Sequence, residues 1–102
     1  MKVENMKNRN GNKVPNQFII DGLAYFNQNI SETGPVFGSM FQSYESNVAF
    51  IDSGNNGQVY LDKRYWDYSR TTGKYRNLFL GETKKETEKK IETGEYILTD
   101  LN

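Results

Sequence analysis

The sequence contains no cysteine and no histidine. Without cysteine there are no disulfides and no thiolate metal sites, so a secreted, disulfide-stapled scaffold finds no support. Without histidine the chain lacks the usual general base near neutral pH and the commonest metal ligand. No apolar run approaches the roughly 18 residues that a membrane-spanning helix requires. The opening residues, Met1-Lys2-Val3-Glu4-Asn5, are polar and lack the apolar core of a signal peptide. A cytoplasmic protein with no membrane partner is the expectation.

Apolar residues are also scarce, at 35% of 102, yet 14% of the chain is aromatic, with seven Tyr, six Phe and one Trp. The core must therefore be built largely from rings, each of which buries about 150–250 Å². At this length one domain is the default. Such a chain buries roughly 60–70% of its unfolded surface, enough for one thin core but no deep interdomain cleft.

The net charge is zero, but it is distributed in blocks. Residues 1–17 carry four bases and one acid, and residues 18–56 carry four acids and no base. Residues 57–81 carry Lys63, Arg64, Arg70, Lys74 and Arg76 against Asp62 and Asp67, and residues 82–102 carry four bases and six acids. Alternating blocks argue against a uniformly basic nucleic-acid binder and against an acidic mimic of DNA, so an electrostatic partner must dock on a patch.

Residues 1–14 are rich in Asn, Lys, Arg and Gly and read as a disordered or loosely ordered segment, leaving residues 15–102 as a single α+β domain. Phe18-Ile19-Ile20, the turn dipeptide Asp21-Gly22 and Leu23-Ala24-Tyr25-Phe26 suggest a hairpin. A helix over residues 16–29 is the alternative, disfavoured by a mid-segment glycine. A loop over residues 29–38 leads to Met40–Tyr44, a break at Glu45-Ser46-Asn47, and the buried-type strand Val48–Asp52. The turn Ser53-Gly54-Asn55-Asn56-Gly57 then returns the chain as Gln58–Leu61, an antiparallel hairpin. Residues 62–68 read as an extended connection pinned by Tyr65, Trp66 and Tyr68. Ser69 is a good N-cap for a helix over about residues 70–80 stopped by Gly81, with Thr71, Tyr75, Leu78 and Phe79 on its core face. Thr83-Lys84-Lys85-Glu86 is a capping-box pattern opening a surface helix that ends at Gly94. Tyr96-Ile97-Leu98 makes a final strand. Strands first and helices late predict an α+β fold, a small antiparallel sheet of about 4–6 strands with two short helices in the C-terminal half.

The stretch richest in chemistry runs from Lys63 to Arg76. Lys63, Arg64, Tyr65, Trp66, Ser69, Arg70, Thr72, Lys74 and Arg76 are the candidate binding residues. They gather bases, hydroxyls and rings about a helix N-terminus, where free N–H groups and partial positive charge favour an anion. Arg70 and Lys74, four apart, share a helical face. A purely structural reading competes. Ser69 and Thr72 suit a cap, Tyr75, Leu78 and Phe79 a core face, Trp66 a cover for the sheet edge, and Arg70, Lys74 and Arg76 solvated charge. Interleaved bases and rings also suit single-stranded nucleic acid. Catalysis is not expected. Asp62 and Asp67 form a carboxylate pair without a substrate cleft, and Ser69 and Lys74 do not share a helix face. No cofactor or metal site is implied.

The run from Phe41-Gln42-Ser43-Tyr44 through Val59-Tyr60-Leu61-Asp62 and Tyr65-Trp66-Asp67-Tyr68-Ser69 to Phe79-Leu80-Gly81, with its S-x-T-T-x-K-Y core at Ser69–Tyr75, resembles a family of small phage and mobile-element proteins of Gram-positive bacteria. The resemblance covers roughly residues 38–102. It implies a non-enzymatic interaction protein working in the host cytoplasm by binding a host protein, in the manner of inhibitors of CRISPR or other defence systems. It brings no catalytic residues with it. A small nucleic-acid-binding accessory protein using residues 60–76, and a sponge for a nucleotide signal at the Ser69 helix start, are the alternatives.

Overall fold

Residues 1–102 are described by a computed structural model. The strands are β1 (Lys2–Lys7), β2 (Lys13–Tyr25), β3 (Val36–Ser43), β4 (Ser46–Asp52), β5 (Gln58–Asp62) and β6 (Ile97–Thr99), and the helices between β5 and β6 are α1 (Arg70–Leu80) and α2 (Lys84–Glu92). They form one six-stranded sheet in sequence order. All neighbours are antiparallel except β5 and β6. The α+β class and the two late helices are as the pattern predicts. The sheet is mixed rather than antiparallel throughout, because α1 and α2 carry the chain back so that β6 runs alongside β5 in the same direction.

Alternation along the central strands builds two cores, one on each face. Phe41, Ala49 and Leu61 point to the face covered by the helices, where they join Met6, Val48, Val59, Tyr75 and Tyr96. Met40, Phe50 and Tyr60 point to the other face, closed by Leu101 with Ile20, Leu23, Tyr25, Ile30 and Val36 around it. Burial on both faces accounts for the continuous apolar character of Val48–Ile51. At Gly38 an added Cβ would lie 1.9 Å from the Ile51 carbonyl oxygen, so β3 and β4 meet there only because the position is glycine.

The structure differs from the sequence reading in several places. The N-terminal segment is ordered. Residues 2–7 pair with β2, from Lys2 opposite Asp21 to Lys7 opposite Lys13. The asparagines between the two strands make a turn in which the Asn8 side chain accepts from the Asn10 and Asn12 amides at 2.9 and 3.0 Å. Polar composition here encodes turn chemistry and a solvated edge strand that buries only Met6. Residues 18–26 are not a hairpin. β2 runs straight through, with Asp21 and Gly22 inserted as a bulge between Ile20, opposite Met40, and Leu23, opposite Gly38. Gly22 supplies the required positive φ of 63°. β3 begins at Val36, inside the expected loop. Residues 63–68 are folded into turns, because the Asp62 carboxylate accepts from the amides of Arg64 and Tyr65 at 2.9 and 2.8 Å.

Both helix starts fall where the caps predict. Ser69 accepts from the Thr72 amide, and Thr83 and Glu86 form a complete capping box. The buried face of α1 is rotated from the apolar positions, however. Thr72, Gly73, Tyr75 and Arg76 are buried, Phe79 is half-buried against Phe41, and Leu78 is exposed.

α2 has almost no apolar face and is held largely by one polar latch. The Glu82 carboxylate, 5% exposed, receives Thr87 Oγ1 at 2.6 Å, Lys90 Nζ at 2.9 Å and the Tyr96 hydroxyl at 2.5 Å. Burial alone would raise the carboxyl's pKa, but the three donors and the Lys90 charge outweigh it and hold the group below its ordinary value. Burial and the neighbouring carboxylate push the Tyr96 hydroxyl up to about 12. A folded-state value below the unfolded one stabilises the fold above the ordinary value of 4.5, a contribution lost as pH falls through the folded value. Denaturant midpoints from pH 7 down to pH 3 should therefore fall more steeply for the wild type than for Glu82→Gln, which should also start lower at pH 7. Parallel profiles would show that Glu82 is not the latch.

Candidate functional site

The strand registers bring several chain reversals to one end of the sheet. The β1–β2 turn follows Lys7, the two-residue β3–β4 turn lies between Ser43 and Ser46, and β5 exits there at Asp62. α1 starts at this same end, since Thr72 Oγ1 lies 3.0 Å from Ser43 Oγ. The loop from Asp62 to Ser69 links these parts.

Two buried side chains fix that loop. The Asp62 carboxylate, 1% exposed, accepts four hydrogen bonds. Besides Arg64 and Tyr65 amides they come from the Leu101 amide at 2.8 Å and Asn102 Nδ2 at 3.0 Å. Arg76 rises from α1 with its side chain 1% exposed. Its Nη1 donates to the Trp66 carbonyl at 2.6 Å and to Asp67 Oδ1 at 3.2 Å, and Nη2 donates to Asn77 Oδ1 at 2.9 Å. The guanidinium also lies over the Trp66 ring, 5.2 Å from its centroid. Gly73 packs directly beside it, where an added Cβ would meet both terminal nitrogens at 3.7 Å, an ordinary van der Waals contact.

Above Arg76 lies an open groove of roughly 880 Å³ between the β1–β2 turn and α1. Its charged lining is Lys7, Arg9, Arg70, Lys74, Arg76 and Lys84 against Asp67 alone, six cations to one anion, a balance of +5. The anion is already engaged, by Arg76 and by Lys84 Nζ at 2.7 Å. Burial would raise the Asp67 pKa, but the hydrogen bonds and charges of Lys84 and Arg76 hold the carboxyl below its usual value. Lys7, Arg9, Arg70 and Lys74 make no salt bridge.

A second hollow of roughly 380 Å³ adjoins the groove at Ser69 and is walled by Tyr44, Tyr65 and Tyr68. Tyr44 and Tyr68 are 56% and 67% exposed, and the Tyr65 and Tyr68 rings lie 5.3 Å apart at 59°.

The candidate residues thus divide. Arg70 and Lys74 line the groove, and Tyr65 walls the ring hollow. Ser69 touches both, but its hydroxyl is committed to capping, bonded to the amide and hydroxyl of Thr72 at 3.1 Å. Thr72 is buried and Trp66 half-buried. Arg76 is no solvated helix charge; its hydrogen bonds hold the loop from below. Lys63 and Arg64 face a different, smaller hollow beside Asp100. Asp62 and Asp67 are both occupied by donors and do not form a free pair. Lys7, Arg9, Lys84 and Tyr44 also line these two cavities, and all four lie outside the Lys63–Arg76 stretch. The only signal for the first two was the matching positive charge of residues 1–17 and 57–81.

The fold and this end of it define a small α+β domain with a mixed sheet and a cation-lined groove. No helix is long and apolar enough to cross a membrane. The chain belongs to a family of unknown function, DUF8033, whose model matches residues 1–95. No curated protein and no solved structure matches it.

The geometry predicts a sharp contrast between two arginines six positions apart. Arg76→Gln should destabilise the fold by about 1–3 kcal/mol, since it strands the Trp66 carbonyl and the Asn77 side chain while Asp67 keeps Lys84. Arg70→Gln should change stability by no more than about 0.5 kcal/mol. Urea denaturation of both variants checks this, and equal effects would refute the assignment of Arg76 as an internal strut.

Proposed function

We propose that the protein is a non-enzymatic interaction module whose working surface is the groove between the β1–β2 turn and α1, and that it holds a partner presenting a row of negative charge. The observation that carries this reading is the convergence of Lys7 and Arg9 with Arg70 and Lys74, four cations without ion-pair partners, around a groove whose single carboxylate is already neutralised. Holding like charges together in the absence of a ligand costs free energy, and a polyanion entering the groove relieves it. The resemblance to phage and mobile-element proteins supplies a setting. There, a module of this size interferes with a host defence system by covering a surface that the host machinery needs. A host protein with an acidic face is the partner that setting implies, and nucleic acid is the one that the adjoining rings favour.

Replacing Lys7, Arg9, Arg70 and Lys74 together by Gln tests the groove itself. Wild-type protein should bind heparin with an affinity that falls steeply as salt rises, and the log–log slope should flatten by roughly 0.7–0.9 for each phosphate-type contact removed. The unfolding midpoint should stay near that of the wild type, because all four side chains are exposed. Unchanged heparin binding in the quadruple variant would reject the groove as the working surface.

A further inference from the structure

Tyr44 stands in a backbone conformation that its side chain disfavours. It is the first residue of the two-residue turn between Ser43 and Ser46, and its φ is +57°. The first position of such a turn is ordinarily glycine, asparagine or aspartate when φ is positive, and a bulky residue there is a genuine outlier. The surrounding structure enforces the conformation, since the Tyr44 amide donates to the Asn16 carbonyl at 2.6 Å. The ring does not compensate by joining the core, because Tyr44 is 56% exposed. It stands instead at the wall of the hollow shared with Tyr65 and Tyr68. Strain of this kind, kept at a surface position with no packing return, points to use of the side chain.

The hollow and the groove share one lining residue, Ser69, the N-cap of α1. A ligand lying across both would meet rings on one side of the helix start and Arg70, Lys74, Lys7 and Arg9 on the other. An acidic protein surface would use the cations but has no need of a row of tyrosine faces. A duplex presents phosphates but keeps its base faces stacked. A single strand offers both at once, with free base faces for aromatic rings and a phosphate chain for cations.

Resting on the reading of the groove as the working surface, we infer that its occupant is single-stranded nucleic acid, with phosphates along the groove and an unstacked base against Tyr44 and Tyr68. Position 44 carries the ring for this contact, at a cost to the turn.

The turn and the ligand can therefore be separated by one substitution. Asparagine tolerates positive φ well, so Tyr44→Asn should leave the unfolding midpoint unchanged or raised. The full-length variant and wild type are titrated by fluorescence anisotropy with single-stranded oligodeoxyribonucleotide, single-stranded oligoribonucleotide, annealed duplex of the same sequence, heparin and polyglutamate. The wild type should bind at least one single strand more tightly than duplex or polyglutamate, and the two strand chemistries show whether DNA or RNA is preferred. Tyr44→Asn should weaken that single-strand binding by roughly 5- to 150-fold, the loss that one stacked base accounts for, while heparin binding stays the same. Single strands bound no better than duplex or polyglutamate, or bound equally well by Tyr44→Asn, would overturn the inference. If heparin binding is nevertheless lost in the groove variant, the reading of the groove survives that result. If no polyanion binds in a groove-dependent way, both fail.

Discussion

Arg76 lies beneath the groove with its guanidinium out of water, joined to the Trp66 carbonyl, Asp67 and Asn77 and stacked over the Trp66 ring. A buried charge is costly unless it is hydrogen-bonded; here the two terminal nitrogens are bonded while Nε has no partner, and the bonds that Nη1 makes set the path of residues 66–67. That path in turn delivers Ser69 to the start of α1 and holds Asp67 within reach of Lys84. On the far side of the loop, the Asp62 carboxylate gathers four donors from the loop and from Leu101 and Asn102. The loop is thus held by an anion at one end and a cation at the other, each buried and each bonded mainly to uncharged groups. Both are internal fixtures, which leaves the exposed cations around them free for other uses.

The electrostatics of the site follow from topology more than from composition. Two positive blocks separated by 39 residues of purely acidic charge come together because β1 folds back on β2 and α1 packs across the sheet at that same end. None of the acids of the intervening block lines the groove: Asp21 accepts from Ser39 along the bulge of β2, Asp52 caps the turn after β4, and Glu45, though in the β3–β4 turn at the same end, stays outside the lining. Zero net charge and a strongly cationic groove are therefore compatible in one small domain, with the two signs sorted by position.

What was legible in the sequence was local. The Gly54–Gly57 turn, the Ser69 cap and the Thr83–Glu86 capping box depend on a few adjacent residues, and each is found where those residues stand. What was illegible depended on distant pairing. Residues 1–14 look unable to order themselves, and what orders them is a ladder to residues 13–21. Asp21-Gly22 is good hairpin chemistry, but in a strand paired on both sides the same dipeptide makes a bulge. On α1, apolarity singled out Leu78 for the interior, whereas the hydrogen-bonding needs of Arg76 and Thr72 turned the helix the other way. The direction of β6 was within reach, since a strand, two helices and a strand form a crossover that favours parallel pairing. Of the candidate site, Arg70, Lys74 and Tyr65 could be read from their own segment. Lys7, Arg9 and Tyr44 could not, because nothing near them in sequence says that they face α1.

The groove exists only if the N-terminal turn lies against α1, and the absence of cysteine makes that placement directly measurable. A single cysteine at Asn10, an exposed turn residue whose side chain makes no hydrogen bond, can carry a nitroxide label for paramagnetic relaxation measurements on amide protons. The amides of Arg70–Leu78 should be strongly broadened, while those of the Gly54–Gly57 turn, at the opposite end of the sheet, should be little affected. Broadening of the two regions to the same extent, or none along α1, would mean that the turn does not sit there and that the groove does not exist as described.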